Sequence, residues 1–181
     1  MRFERVITLK DGRECVLRNG AAEDGEAALK SFNAAHSQTD NLLTYPEESA
    51  FTAEDEGKFL QEKTDSDNEI EIIAIVDGVV AGTAGFCSMG DRIKIRHRCD
   101  FGISVDIAYW GLGIGRALTE ACIECAGKAG YEQMELQAVS ENDRALDLYR
   151  KAGFTEFGRN PKGFRKKEGG YQELVYMRLE L

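Results

Sequence analysis

A chain of 181 residues, 43% hydrophobic and 30% charged, has the size and balance of one soluble globular domain. Its formal net charge of −9 disfavours nucleic acid, which asks for a basic face, and mildly favours a cationic ligand. No uninterrupted apolar run reaches the roughly 20 residues of a membrane helix, and the five cysteines lack disulfide-scaffold spacing.

The opening Met1-Arg-Phe-Glu-Arg-Val has no apolar core of the signal-peptide kind, so a cytoplasmic enzyme is the expectation. Residues 3–19 read as two short strands around the turn Lys10-Asp11-Gly12. Residues 22–37 read as a helix with Ala27, Ala28, Phe32 and Ala35 inward. The stretch Ser37 to Phe51, containing Tyr45-Pro46-Glu47-Glu48, has no period and reads as a loop. Thr52-Ala-Glu-Asp55 is a capping-box pattern that opens a helix to about Lys63.

Glu71 to Val76 and Val79 to Phe86 flank Asp77-Gly78, a two-residue hairpin turn. Alternation then predicts a long strand from Ile93 to Val105, with His97 in its apolar row and Lys94, Arg96, Arg98, Asp100 and Ser104 on the polar side. A helix from about Gly113 to Ala129 ends at Gly130, and a buried strand follows from Glu132 to Ser140. Asn142 to Ala152 is a short helix closed by Gly153, with Asn142 a candidate first-turn cap. Strands at about 154–159 and 171–180 are joined by a loop holding Pro161, Gly163, Lys166, Lys167, Gly169 and Gly170. With no linker or internal repeat, residues 1–181 are expected to form one domain.

Cys122-x-x-Cys125 has redox or zinc spacing. Both cysteines fall, however, on the helix face Ile114, Ala117, Leu118, Ala121, Cys122, Cys125 and Ala129, which marks them as core. There is no second ligand pair, and His36 and His97 are isolated, so no metal is expected.

The most informative segment is Asp100 to Ala117, D-F-G-I-S-V-D-I-A-Y-W-G-L-G-I-G-R-A. A strand runs through Gly111, Gly113 and Gly115 into a helix, and such a turn presents unpaired backbone N–H groups to a phosphate. Arg116-Ala117 stands where a P-loop needs Lys and Ser or Thr. Arg116 or Leu118 stands where a dinucleotide fingerprint needs its third glycine.

A second motif lies about one helix and one strand downstream. It reads Val139-Ser-Glu-Asn142-Asp-Arg-Ala145-Leu-Asp-Leu148-Tyr149-Arg-Lys-Ala-Gly153-Phe154. Together the two motifs resemble the GNAT superfamily of acyl-CoA-dependent N-acyltransferases, in detail over residues 70–181 and only in element order before that. One position departs: Trp110 stands where the superfamily usually has Gln or Arg before the glycines.

The resemblance implies an α/β GNAT fold, a mixed, mostly antiparallel twisted sheet with helices on both faces. It implies acetyl-CoA as co-substrate and acetyl transfer to a primary amine by direct attack in a ternary complex. The cofactor-binding residues would be Ile103 and Val105 along the pantetheine arm, with Gly111, Gly113, Ile114, Gly115 and Arg116 at the pyrophosphate and Asn142 near the arm or a water. A bulge in the strand at 103–105 would splay it from its parallel neighbour.

Tyr149 would serve the departing sulfur. It shares an apolar helix face with Ala145, Leu148 and Ala152, so a core role is its competing reading. Asp100 matches a position where many members carry Glu and is the candidate base; an ion pair with Arg96 or Arg98 is the alternative. Glu47, Glu48 or a water chain are further candidates. The expected partner is a small-molecule amine, with Glu47, Glu48, Glu54, Asp55 and Glu56 favouring a cationic one, and a homodimer is a candidate assembly. A non-catalytic acyl-CoA-binding module is the competing class.

Overall fold

In chain order the elements are β1 (Glu4–Thr8), β2 (Glu14–Asn19), α1 (Gly25–Ser37), α2 (Ala53–Asp65), β3 (Ile70–Val76), β4 (Val79–Ser88), β5 (Arg98–Val105), α3 (Ile114–Lys128), β6 (Gln133–Val139), α4 (Asp143–Lys151), β7 (Thr155–Arg165) and β8 (Tyr171–Glu180). The computed structural model describes residues 1–48 and 50–181. Ser49, inside the loop expected over 37–51, lies outside the described residues. The eight strands form one sheet in the order β1-β2-β3-β4-β5-β6-β8-β7, antiparallel throughout except between β5 and β6.

Local chemistry places most of these elements. Thr52 Oγ1 accepts from the Asp55 N–H at 3.2 Å while Asp55 accepts from the Thr52 N–H at 3.1 Å, so the capping box opens α2 as read from the sequence. Asp77 and Gly78 both have positive φ, 51° and 78°, as the tight β3–β4 turn requires. Asn142 caps α4 by accepting from the Ala145 N–H at 3.2 Å.

Alternation along β3 puts Ile70, Ile72, Ala74 and Val76 into one core with Ile114, Leu118, Ala121, Cys122 and Cys125 of α3. Fully buried side chains such as Ile72, Leu118 and Met134 each contribute about 1.5–3 kcal/mol. Cys122 and Cys125 are buried free thiols within that core. α1 and α2 pack on β3 and β4, with Ala28 and Ala35 buried, Phe32 half-buried and, against expectation, Ala27 exposed.

Three sequence expectations are corrected. The strand expected from Ile93 begins only at Arg98, because β4 ends at Ser88, opposite Cys99, and leaves the preceding residues without a partner strand. They close instead into turns, with the Ile95 and Arg96 amides both donating to the Arg92 carbonyl at 2.9 Å, and Ile93 stands 79% exposed. At the other end, β7 continues through Pro161 and Gly163 to Arg165 where a loop was expected. It is an edge strand, so the missing Pro161 N–H costs no ladder bond, and a register shift between Asn160 and Phe164 absorbs the extra residues.

The third correction concerns the bulge expected in the 103–105 strand. The β4–β5 ladder runs without a register shift from Gly82 opposite Val105 to Ser88 opposite Cys99. β5 and β6 pair only over Arg98–Asp100 and Gln133–Glu135, and diverge beyond that point without a bulge.

Candidate active site

The divergence of β5 from β6 makes a V whose closed end is held by the Arg98 guanidinium on the Glu135 carboxylate. Nη2 donates to Oε2 at 2.8 Å, and Nε pairs with Oε1. Arg98 is therefore engaged away from Asp100. Past the open end of β5 the chain makes one short turn at Ile107–Tyr109 and enters the glycine loop. Gly113 caps α3 at φ 107° and Gly111 lies at φ 82°, conformations that side chains with a Cβ rarely adopt. The first-turn amides of α3 are thereby left facing out of the loop.

A cavity of about 740 Å³ occupies the V and the loop. Ten residues expected at the site from the sequence line it, and the alternative bases Glu47 and Glu48 do not: Asp100, Ile103 and Val105 from β5, Gly111, Gly113, Ile114, Gly115 and Arg116 from the loop and α3, Asn142 and Tyr149 from α4. Their roles differ by exposure. Ile114 is 1% exposed with its side chain in the core, so only its backbone is available to a ligand. Arg116 is open to solvent and pairs with Glu120 one turn on, at 2.7 Å.

Tyr149 is buried at the cavity wall, packed edge-on against Phe101 and Phe154. Burial raises its phenol well above the ordinary value, so it stays protonated across the physiological range. Asp100 faces open space, yet the protein around it desolvates its carboxyl and pushes the pKa up, with Glu135 adding to the effect.

Two residues at this site have contacts that the sequence did not reveal. Trp110 donates its indole N–H to the Val105 carbonyl at 2.7 Å, tying the glycine loop to the end of β5. Arg144 stacks its guanidinium 4.7 Å from the Trp110 ring centroid and reaches toward Gly111. The motif position was visible; that a tryptophan would hold the loop by its own N–H was not.

A second cavity of about 480 Å³ lies between the sheet and helices α1 and α2. It shares Asp100, Gly102, Ile103 and Ser104 of β5 with the first, so the two meet at that strand. Glu71 of β3, also missed in the sequence, lines it. Burial pushes the Glu71 carboxyl up to about 7, against a hydrogen bond from Thr83 that opposes the shift. The recoverable signal was a lone acid in the apolar run Ile70-Glu71-Ile72-Ile73 facing a glycine-rich strand.

Of the acidic residues singled out near this face, only Glu56 lines the cavity. Glu47 pairs with Lys167, Glu48 accepts from the Tyr45 amide, Glu54 pairs with Lys58, and Asp55 caps α2.

Comparison with known proteins gives a consistent result. The L-amino acid N-acetyltransferase AaaT of Escherichia coli is 27% identical over 91% of this chain and 96% of its own length. An L-methionine sulfoximine/L-methionine sulfone acetyltransferase of Salmonella typhimurium is 28% identical over 61% of this chain and 64% of its own. Among solved structures, a GNAT-family acetyltransferase from Streptococcus pneumoniae superposes with a TM-score of 0.88 at 27% identity, covering 92% of this chain and 99% of that one. The model of the acetyltransferase (GNAT) family matches residues 30–154, which include most of α1, all of α2, the glycine loop and Tyr149. This chain belongs to the GNAT family of acetyltransferases.

Proposed function

We propose that this acetyltransferase moves the acetyl group of acetyl-CoA to the primary amine of a small acceptor, by direct attack while both are bound. The observation that carries the reading is the meeting of two cavities along Asp100–Ser104, one entered past a glycine loop and the other floored by the sheet. A cofactor laid along β5 from the loop brings its thioester to this junction, and an acceptor in the second cavity meets it there.

In this reading the amides of residues 111–116 and the Arg116 side chain hold the pyrophosphate. Backbone groups of Ile103 and Val105 hold the pantetheine arm and polarise the thioester carbonyl, and Asn142 borders the arm. The Tyr149 hydroxyl, kept protonated by burial, supplies a proton to the leaving sulfur. Asp100 lines both cavities and is positioned to serve as a base at their junction. Holding both substrates in one cleft supplies the proximity that acyl transfer needs. The relatives named for amino acids support an acceptor of small size.

Calorimetric titration with acetyl-CoA, against NADH and ATP as controls, tests the cofactor. Release of CoA in the presence of a panel of amines tests transfer. Selective binding with release supports the proposal. Selective binding with no release from any amine makes the protein a non-catalytic acyl-CoA module.

A further inference from the structure

We infer that the second cavity binds an apolar primary amine carrying no carboxylate beside its amino group, and that Glu71 accepts the ammonium proton. This rests on the acetyl-transfer reading above.

The floor of the cavity is a cross-strand row. Glu71 of β3 stands opposite Gly85 of β4, and Gly85 opposite Gly102 of β5. A Cβ placed on Gly85 would lie 2.0 Å from Glu71 Oε2, so the carboxylate occupies the space over Gly85 that a side chain would fill. A Cβ on Gly102 would meet nothing within 4 Å. The two glycines thus open a trough from the Glu71 carboxylate to the strand where the two cavities meet. Thr83 flanks Glu71 on the same face, one row along.

The walls are apolar. Phe32 comes from α1, Phe59 from α2, and Leu43 and Phe51 from the loop between them. Leu43 and Phe51 are 76% and 53% exposed, large hydrophobic side chains standing at the cavity without cover. An alkyl or aryl group on the acceptor would bury them.

Charge decides what the amine can carry. Glu71, Glu56 and Asp100 line the cavity, and Lys63 is its one basic side chain apart from His36 among the described residues. Lys63 is bound to the Glu69 carboxylate at 2.5 Å and lies over the Phe59 ring. His36 accepts no charge readily, since burial lowers its pKa. An ammonium entering here meets carboxylates. A carboxylate entering here meets the same carboxylates and a lysine already paired, a juxtaposition that disfavours it strongly.

The groups acting on Glu71 are Thr83, Glu56 and Lys63, and burial outweighs them to bring its carboxyl to about 7. Near neutrality it can take a proton from an ammonium and give it up to solvent. The step balances. The ammonium loses one proton to Glu71, and the freed amine attacks the thioester carbonyl carbon. The C–N bond forms, the C–S bond breaks, and the second proton leaving nitrogen is matched by the one delivered to sulfur. The products are the amide, CoA thiol and one proton.

The test compares phenethylamine with phenylalanine as acceptors, using the wild-type chain and Glu71→Gln, with acetyl-CoA affinity measured separately by calorimetry. The expected results are a kcat/KM for phenethylamine at least about tenfold above that for phenylalanine, and an acidic limb near pH 7 in the wild-type profile. In Glu71→Gln that limb is lost and turnover falls about a hundredfold, while acetyl-CoA affinity is retained and the melting temperature is no lower than that of the wild type. Equal or better use of phenylalanine, or acetyl-CoA binding with neither compound acetylated, overturns the acceptor class. A Glu71→Gln variant that keeps both turnover and the acidic limb overturns the role of Glu71. Failure of the wild type to bind acetyl-CoA overturns the parent reading, and this one with it.

Discussion

The Trp110 indole N–H and the Val105 carbonyl oxygen lie 2.7 Å apart, joining the first residue of the glycine loop to the last residue of β5. This bond ties the phosphate end of the proposed cofactor track to its pantetheine end. Trp110→Phe keeps a ring for Arg144 to stack on and removes only the donor. A typical net hydrogen bond of about 1 kcal/mol predicts an acetyl-CoA dissociation constant raised about fivefold. Calorimetry checks this, and an unchanged constant would show that the bond does not order the loop for binding.

Gly113 has open space around an added Cβ, so a substitution there acts through its φ of 107° and through the approach of phosphate, with no clash in the free protein. Gly113→Val should abolish measurable acetyl-CoA binding and lower the melting temperature by several degrees, for a strain of about 1–3 kcal/mol. A lower melting temperature with intact affinity would move the phosphate site away from the loop.

For Tyr149→Phe, the ring packing against Phe101 and Phe154 is conserved and the hydroxyl is lost. We expect about a hundredfold loss of turnover with little change in acetyl-CoA affinity. Steady-state rates at saturating substrates decide the matter; undiminished turnover removes Tyr149 from the chemistry.

Two neighbouring glycines should behave differently. A methyl at Gly85 meets Glu71 Oε2 at 2.0 Å and the Ile70 carbonyl at 2.5 Å, whereas one at Gly102 meets nothing. Gly85→Ala is expected to lower stability measurably and Gly102→Ala to leave it unchanged while raising the KM for the amine. Thermal denaturation of both variants, with amine kinetics on the second, provides the comparison. A stable Gly85→Ala variant would mean that both the Glu71 side chain and the β3 backbone at Ile70 have room to shift.

The Glu71 carboxyl titrates near 7 in the fold against an ordinary 4.5, so the folded chain holds more protons than the unfolded one between those values. Its contribution therefore falls as pH rises from about 4.5 through about 7. Melting temperatures of the ligand-free wild type and Glu71→Gln, compared across this window, should diverge in favour of the variant as pH rises. Parallel curves would show that Glu71 is not held in a desolvated setting.

Much of this architecture was legible because local chemistry writes it plainly. The Thr52–Asp55 box, the Asp77-Gly78 turn and the Asn142 cap are decided within four residues, and each stands where its pattern placed it. The 93–97 segment misled because alternation describes side chains alone, while a strand also needs a neighbour, and β4 had already ended. Pro161 misled for the opposite reason: its missing donor stops a strand only where a partner would need it, and β7 is an edge. The residues proposed for the cofactor lie on contiguous motifs, and the structure brings them to one cavity. Glu71 could not be read, because its meaning depends on Gly85 and Gly102, brought beside it by sheet register.

Because the two cavities share Gly102, Ile103 and Ser104 as a common wall, the proposed spaces for the acyl group and for the acceptor would not be independent. With the substrates placed as proposed, an acyl chain that outgrows the junction would extend over the trough at Gly102 and into the volume assigned to the amine. Selectivity for a short acyl donor would then need no dedicated gatekeeper: a bulky acceptor would enforce it, and a small acceptor would relax it.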